Sequence, residues 1–224
     1  LSDSKLELRT LENLKARLTE FDSMIKPIEF YFKAEQELMA LYMTPKQIQD
    51  IFDLIPPNEF TDKQACCQSA REIILNADEE FARKNLSFYN RAWSEIYPAI
   101  QLPYPQAFEK LVELKGEYID SNMDCGKNPE SVMTVLLSFP WNKVYNYSVQ
   151  HKVFSNALLA AVEIYIIVEK TGKLPDSLPE GLAKDLFSGG DFEYRKTEDG
   201  FVLRCQGEDL EEHKFHEYEF KVKK

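Results

Sequence analysis

Apolar side chains recur three and four positions apart at the start of the chain, with charged residues between them. The pattern runs through residues 5–43 and includes Leu11, Leu18, Ile25 and Phe32. This spacing places the apolar side chains on one face of an α-helix. Pro27 interrupts the pattern and is expected to kink the helix or divide it in two.

Turn signals and capping residues divide the following sequence into further helices. Threonine before proline predicts a helix start, and threonine followed three residues later by glutamine is a capping box. The predicted segments are a short helix opened by Thr44-Pro45 and ending before 55–58, a helix from Thr61 to about Ile96, a linker over 97–105, a helix from Pro105, a short helix after Pro129 and a long apolar helix from about Val144 to Lys170.

After Gly172 the apolar period changes from that of a helix to that of a strand. Three alternating stretches lie between 190 and 222, and the first two are joined by "TEDG" at 197–200, a hairpin signal. The prediction is a mainly α fold: a bundle of about six or seven helices with a small C-terminal antiparallel β-sheet packed on a central hydrophobic helix. We expect a single domain over 1–224, with a helical bundle at 1–171 and a turn-rich β cap at 172–224.

Charge and motif content narrow the classes of function. The chain has 38 acidic and 27 basic residues and a formal net charge of −11, which argues against nucleic acid or an anionic membrane as the main partner. Its most apolar stretch, 153–168, contains Asn156 and Glu163 and favours a buried helix over a bilayer span. The common nucleotide-binding, nucleophile and zinc motifs are absent, so we expect no cofactor and no metal.

The C-terminal half resembles a known group of proteins. "LLAAVEIY", "TGKLPDSL", "DLFSGGDFEYRK" and "DGFVLRC" follow one another, and this order resembles an uncharacterised group of bacterial, planctomycete-type envelope proteins. It is also similar to the C-terminal part of type II secretion pseudopilins. The resemblance covers roughly 97–205, and Leu186 departs from it where the group usually has proline. The matching positions are Glu163, Tyr165, Gly172, Pro175, Leu178, Asp185, Phe187, Gly189, Tyr194 and Gly200.

The resemblance implies a non-enzymatic cell-envelope protein that serves as a structural or protein-interaction module. It also implies export, with a tether in an N-terminal segment that precedes Leu1. On the oxidising side of a membrane, Cys125 and Cys205 are the pair that could form a disulfide, although four scattered thiols are also typical of buried, unpaired cysteines. A protein partner is possible, and the oligomeric state stays open.

Aromatic residues provide the candidate binding site. Tyr89, Trp93 and Tyr97 are spaced four apart on one predicted helix, and Tyr104 and Phe108 follow shortly after. Such a ridge could line a ligand groove or seat a partner. Core packing is the alternative interpretation of the same spacing.

An alternative function is a hydrolase-like enzyme with a scattered active site near Glu163 and His151. Glu163 is the one charged residue within 157–168, and His151 lies on the predicted apolar stripe of the same helix. A buried glutamate can act as an acid or base, but such a residue more often bonds a neighbour at the edge of the stripe.

Two groups of residues near the C-terminus could bind a metal ion, and the sequence counts against both. Glu212, Glu217, His213 and His216 would cluster in a helix, but the alternation around them favours a strand and surface histidines. The calcium loop that the resemblance to pseudopilins implies would use Glu208, Asp209, Glu211 and Glu212, but the glycine-shaped turn that it needs is missing.

Overall fold

A computed structural model describes residues 7–54, 64–124, 126–137 and 140–222 of the chain. These residues form eight α-helices and one three-stranded sheet, so the predicted mainly α class with a small C-terminal sheet is confirmed. The helices are α1 (Leu8–Met24), α2 (Ile28–Tyr42), α3 (Pro45–Leu54), α4 (Gln64–Leu75), α5 (Glu79–Ala99), α6 (Tyr104–Tyr118), α7 (Val132–Leu137) and α8 (Trp141–Thr171).

The chain groups into two compact units. The first contains Leu1–Lys26, Pro103–Pro105 and Tyr145–Lys224, and the second contains Pro27–Leu102 and Gln106–Val144. The predicted division at residue 171 follows the change from helix to sheet, whereas these units divide the chain within α6 and α8. The single domain over 1–224 stays a prediction.

Local sequence explains where most helices begin and end. Pro27 separates α1 from α2 as predicted. The predicted continuous helix from Thr61 to Ile96 is wrong, because α4 ends at Leu75 and α5 begins at Glu79. The Asp78 side chain accepts a hydrogen bond from the Phe81 backbone N–H at 2.8 Å and caps α5.

The sheet is an antiparallel meander in the order β1 (Glu193–Lys196), β2 (Gly200–Arg204) and β3 (Glu217–Lys221). It packs on α8 within the first unit. The Tyr165 ring contacts Phe201 with centroids 5.7 Å apart, and its hydroxyl donates to the Lys221 carbonyl at 2.8 Å. The predicted packing of the sheet on this helix is therefore confirmed.

The predicted apolar stripe of α8 is buried only in part, since Ala161 lies in the core and Tyr165 packs on the sheet. The predicted positions are Tyr147, His151, Phe154, Leu158, Ala161, Tyr165 and Val168. Val153, Ala157 and Ile164 are buried, whereas Tyr147 and Phe154 are exposed. One helix within 129–171 is long and apolar enough to cross a bilayer by length and composition alone, and 44% of its most apolar window is buried inside the protein. Because α8 is apolar on several faces, periodicity alone does not select the face that is covered.

Candidate functional site

The predicted aromatic ridge of α5 lies mainly in the core of the second unit. Tyr89 and Trp93 are 0% and 1% exposed, and Trp93 contacts rings on both sides of it. Its ring centroid lies 5.3 Å from Phe32 and 6.3 Å from Trp141. Burial raises the pKa of the Tyr89 hydroxyl far above its ordinary value, so this group stays neutral. The geometry matches the core-packing interpretation for these two residues.

The other three residues of the predicted site lie in different surroundings. Tyr97 is half-buried at the end of the α5 ridge, 5.6 Å from Trp93, and Phe108 is buried in α6. Tyr104 belongs to the first unit, where its ring contacts Phe187 at 4.9 Å. Four of the five predicted residues are therefore buried, and Tyr97 is half-buried.

Helix α2 carries an exposed apolar surface that the sequence analysis did not select. Five of its large side chains are between 42% and 69% exposed. At 100° per residue, these five and one alanine occupy a contiguous arc of about 120° on the helix surface. We call this arc the apolar face of α2. Its residues are Phe30, Tyr31, Ala34, Leu38, Leu41 and Tyr42.

The opposite side of α2 holds the helix on the second unit. Phe32 is buried against Trp93 of α5. The Gln36 amide donates to the Asn90 side-chain oxygen at 3.0 Å, and the Gln101 amide donates to the Glu29 carboxylate at 2.9 Å. Contacts along two turns of the helix fix its rotation, so the apolar face is presented outward on a supported element.

Glu35 lies at the boundary between the buried and exposed sides of α2. Its carboxyl is half-buried, and desolvation raises its pKa from 4.5 to about 7. A carboxyl with this pKa changes charge near neutral pH. One edge of the apolar face therefore carries a carboxyl that changes charge near neutral pH.

A second cluster of polar side chains is centred on Asp209 in the first unit. The carboxylate is fully buried and accepts five hydrogen bonds, from the side chains of Asn146, Gln150 and His216 and from the backbone of Glu211 and Glu212. Burial alone would raise the pKa of Asp209, but these hydrogen bonds outweigh burial and hold it below its ordinary value of 3.8. The ionised carboxylate ties the loop after β2 to α8.

Tyr104 belongs to this polar cluster. Its hydroxyl donates to the Asn146 side-chain oxygen and accepts from the Leu210 backbone N–H at 2.9 Å. The His216 ring stacks on Phe187 with centroids 5.3 Å apart. His216 is therefore largely buried, and the predicted surface position is wrong for it, whereas His213 is exposed as predicted.

Asp209, Glu212 and His216 are the residues of the described chain that could hold a metal ion, since their ligand atoms lie within 4.8 Å of one another. Each already has a partner in the protein. Glu212 pairs with Lys214, and the His216 Nε2 and Gln150 amide contact Asp209 at 2.8 and 2.6 Å. The arrangement is satisfied by protein groups alone and serves as a structural anchor for the loop.

The residues of the alternative active site do not come together. His151 and Glu163 lie on the continuous helix α8, separated by about 18 Å along its axis at 1.5 Å per residue. His151 is exposed, and Glu163 pairs with Lys15 of α1. Within the described part of the chain, these two groups have no geometry for joint acid–base chemistry.

Cys205, the cysteine whose side chain the structure describes, is not an activated nucleophile. Burial, with a smaller contribution from Asp185, raises the pKa of the Cys205 thiol well above its ordinary value, which keeps the thiol protonated. Cys125 lies outside the described residues, so its disulfide with Cys205 stays a prediction.

The turn-rich segment after α8 has a structural role. The buried Asp185 carboxylate accepts from the backbone N–H groups of Phe187, Gln206 and Gly207 at 2.9–3.0 Å. The Tyr194 hydroxyl donates to the Pro175 carbonyl at 3.1 Å. Asp185 and Tyr194 are among the positions that the sequence analysis selected, and they hold the turn against the sheet.

No known protein family, curated protein or solved structure matches this chain.

Proposed function

We propose that the chain is a non-enzymatic binding module and that the apolar face of α2 is its docking surface for a protein partner. The observation that carries the proposal is the contiguous exposure of six apolar positions on a helix whose other side is anchored by Phe32, Gln36 and Glu29. Large exposed apolar patches on folded proteins commonly mark interaction sites.

The chemistry elsewhere in the chain supports a binding role over an enzymatic one. Asp209 and Asp185 use their carboxylates to hold loops, and Glu163 is engaged by Lys15. A catalytic acid or base has to be within hydrogen-bond reach of a substrate. These groups instead bond the protein itself, which leaves the apolar face of α2 as the best candidate for external contact.

Photocrosslinking tests the proposal. A benzophenone amino acid at Leu38, introduced into the full chain in its natural host, should form a covalent adduct with one recurrent protein. The Leu41→Glu substitution should remove that adduct without lowering Tm, because Leu41 is 69% exposed. The same probe at the exposed Tyr147 of α8 is the matched control and should give no such adduct. An adduct that survives Leu41→Glu, or no adduct at Leu38, would contradict the proposal.

We further propose that the protein works in the cell envelope, with the described residues outside the cytoplasm and a tether before Leu1. This proposal rests on the resemblance of residues 97–205 to envelope proteins. The residues encoded before Leu1 test it: a basic start and an apolar run support export. A methionine directly before Leu1, or a short polar leader, would contradict it.

A further inference from the structure

Residues of α5, α6 and the turn between them line a groove on the second unit, which we call the α5–α6 groove. Its volume is about 580 Å³, and its apolar lining comes from Pro98, Ala99 and Leu102. Leu102 is 44% exposed, so this lining is open to solvent. Ligand sites commonly have volumes of about 300–1,000 Å³ and mainly apolar walls. The groove is therefore large enough to seat part of a partner molecule.

Acidic side chains dominate the charge of the α5–α6 groove. Glu95 lines it from α5, and Glu109 and Glu113 line it from α6. Lys110 is the one basic side chain among the described residues that line it. Three carboxylates against one ammonium leave the groove negative, so its field attracts a cationic ligand.

Lys110 shows how the groove treats a positive charge. Its Nζ lies 2.9 Å from the Glu113 Oε2. The hydrogen bond to Glu113, with smaller contributions from the charges of Glu95 and Glu117, raises the pKa of the Lys110 ammonium above its ordinary value. The groove thus favours a cation at this place. One lysine does not neutralise the surrounding carboxylates, so negative charge remains for a partner to compensate.

The Glu95 carboxylate is held in position by the protein itself. Its Oε1 accepts a hydrogen bond from the Tyr118 hydroxyl of α6 at 2.5 Å. Arg91, one turn earlier in α5, lies over the Phe88 and Tyr118 rings, 4.9 and 5.8 Å from their centroids, and does not line the groove. A carboxylate fixed in this way loses less side-chain freedom when it binds a cation.

The combination of apolar and acidic lining fits the side chains of lysine and arginine. Each of these side chains has an aliphatic stem that packs on apolar surface and a charged head that bonds carboxylates. The groove offers Pro98 and Leu102 to the stem, and Glu109 and Glu113 to the head. Along α6 it extends from Gln106 to Glu113, about 10 Å, which is the length of about three residues of extended peptide.

We propose that the α5–α6 groove binds a short lysine- or arginine-bearing segment of a protein partner. The groove is built from other helices than the apolar face of α2, so this inference goes beyond the proposed function and either one can fail alone. Nucleic acids and anionic membranes do not fit the groove, because they are themselves negative. Since the contact is small and charged, its affinity should fall as the salt concentration rises.

Fluorescence anisotropy on the full 224-residue chain tests the inference, with a short fluorescein-labelled peptide of arginine and leucine as the probe. The wild-type chain should bind the peptide at low salt, and Glu109→Lys should weaken binding about three- to ten-fold. Leu102→Ser should also weaken it, because part of the apolar lining is lost. Glu72→Lys is the matched control: it changes the net charge equally at an exposed residue of α4 and should bind like the wild type.

Lys110→Met keeps the test decisive even if another variant disturbs folding. It removes the internal cation that competes for the carboxylates, so binding should become about two- to five-fold stronger, a gain that a misfolded chain does not give. The inference is overturned if the wild type does not bind, if Glu109→Lys and Glu72→Lys lose binding equally, or if Lys110→Met gives no gain. If spermine displaces the peptide and Leu102→Ser binds normally, the groove holds small cations and the peptide segment is wrong.

Discussion

Asp209 is a residue whose charge is maintained by its neighbours. Five hydrogen bonds reach its buried carboxylate, and they hold its pKa below 3.8 although burial acts in the opposite direction. Hydrogen bonds to a charged group are each worth about 1.5–3 kcal/mol. The loop between β2 and β3 therefore depends on this one side chain.

The Asp209→Asn substitution should lower the free energy of unfolding by about 2–3 kcal/mol at pH 7, because an amide cannot accept all five bonds. The folded pKa is depressed, so the contribution is present above the unfolded pKa and is lost as pH falls through the folded pKa. The difference between wild type and variant should shrink in that acidic range. Urea unfolding at several pH values measures it.

Glu198→Gln is the control for this comparison, since Glu198 is exposed on the turn between β1 and β2. It should change stability by less than about 0.5 kcal/mol. An Asp209→Asn difference that is absent at pH 7, or one that stays constant down to the lowest pH, would contradict the anchoring role.

The contribution of Glu35 to the free energy of unfolding should have the opposite pH dependence to that of Asp209. Its folded pKa of about 7 lies above its ordinary value of 4.5 because of desolvation. The fold favours the protonated carboxyl, so the stability that it contributes is complete below the unfolded pKa and is lost as pH rises through 7. Glu35→Gln should therefore be more stable than the wild type at pH 8 and close to it at pH 4.

Thermal unfolding at the two pH values measures this effect, with Glu37→Gln on the same helix as the control. Glu37 is exposed, so its substitution should not reproduce the gain at pH 8. If Glu35→Gln gives no gain at pH 8, the carboxyl is ionised in the fold and the assigned environment is wrong.

Among the elements, α5 forms the core of the second unit through Trp93. Replacing Trp93 by alanine should cost about 3–5 kcal/mol, because it removes ring contacts with Phe32, Tyr89 and Trp141 and leaves a cavity. Tyr147→Ala, at an exposed aromatic of α8, should cost less than about 0.5 kcal/mol. Chemical denaturation of both variants tests the assignment, and a Trp93→Ala protein of wild-type stability would contradict it.

The end of β2 depends on close backbone approach at Gly207. A Cβ added there would lie 2.2 Å from the Phe187 carbonyl carbon, so Gly207→Ala should destabilise the cap by more than about 1 kcal/mol. Gly116 of α6 has no atom within 4 Å of the same added Cβ. Gly116→Ala should stabilise the protein by about 0.4–1 kcal/mol, because alanine favours the helix. Differential scanning calorimetry distinguishes the two signs, and equal shifts would contradict the packing at Gly207.

Most elements were predictable from spacing and turn residues. Pro27, Thr44-Pro45 and "TEDG" mark boundaries that the structure confirms. The break before Asp78 was missed because a capping aspartate within a charged segment gives only a weak local signal. Spacing predicts only part of the buried stripe of α8, because that helix is apolar on more than one face.

At the scale of the whole molecule, the candidate site was less predictable than the fold. Helix α2 is apolar both toward the core, at Phe32 and Met39, and away from it, at Leu38 and Leu41. Spacing shows that both arcs exist, but tertiary packing decides which arc the protein covers. Tyr89 and Trp93 were selected for their aromatic spacing, and the same packing places them inside.

The molecule thus has core aromatics in α5, loop anchors in the C-terminal cap and an exposed apolar face on α2. We claim above all that this face is exposed in the folded chain and open to a protein partner, whereas Tyr89 of α5 is buried. Hydroxyl-radical footprinting tests that claim most directly, because oxidation rates of individual tyrosines follow their exposure.

The measurement compares the tyrosines of the folded full chain. Tyr31 and Tyr42 should oxidise readily, in keeping with exposures of 52% and 42%, whereas Tyr89, at 0%, should be protected. Tyr147, at 58% exposed on α8, is the internal reference for a reactive tyrosine. Tyr31 and Tyr42 that react as slowly as Tyr89 would contradict the exposure of the apolar face.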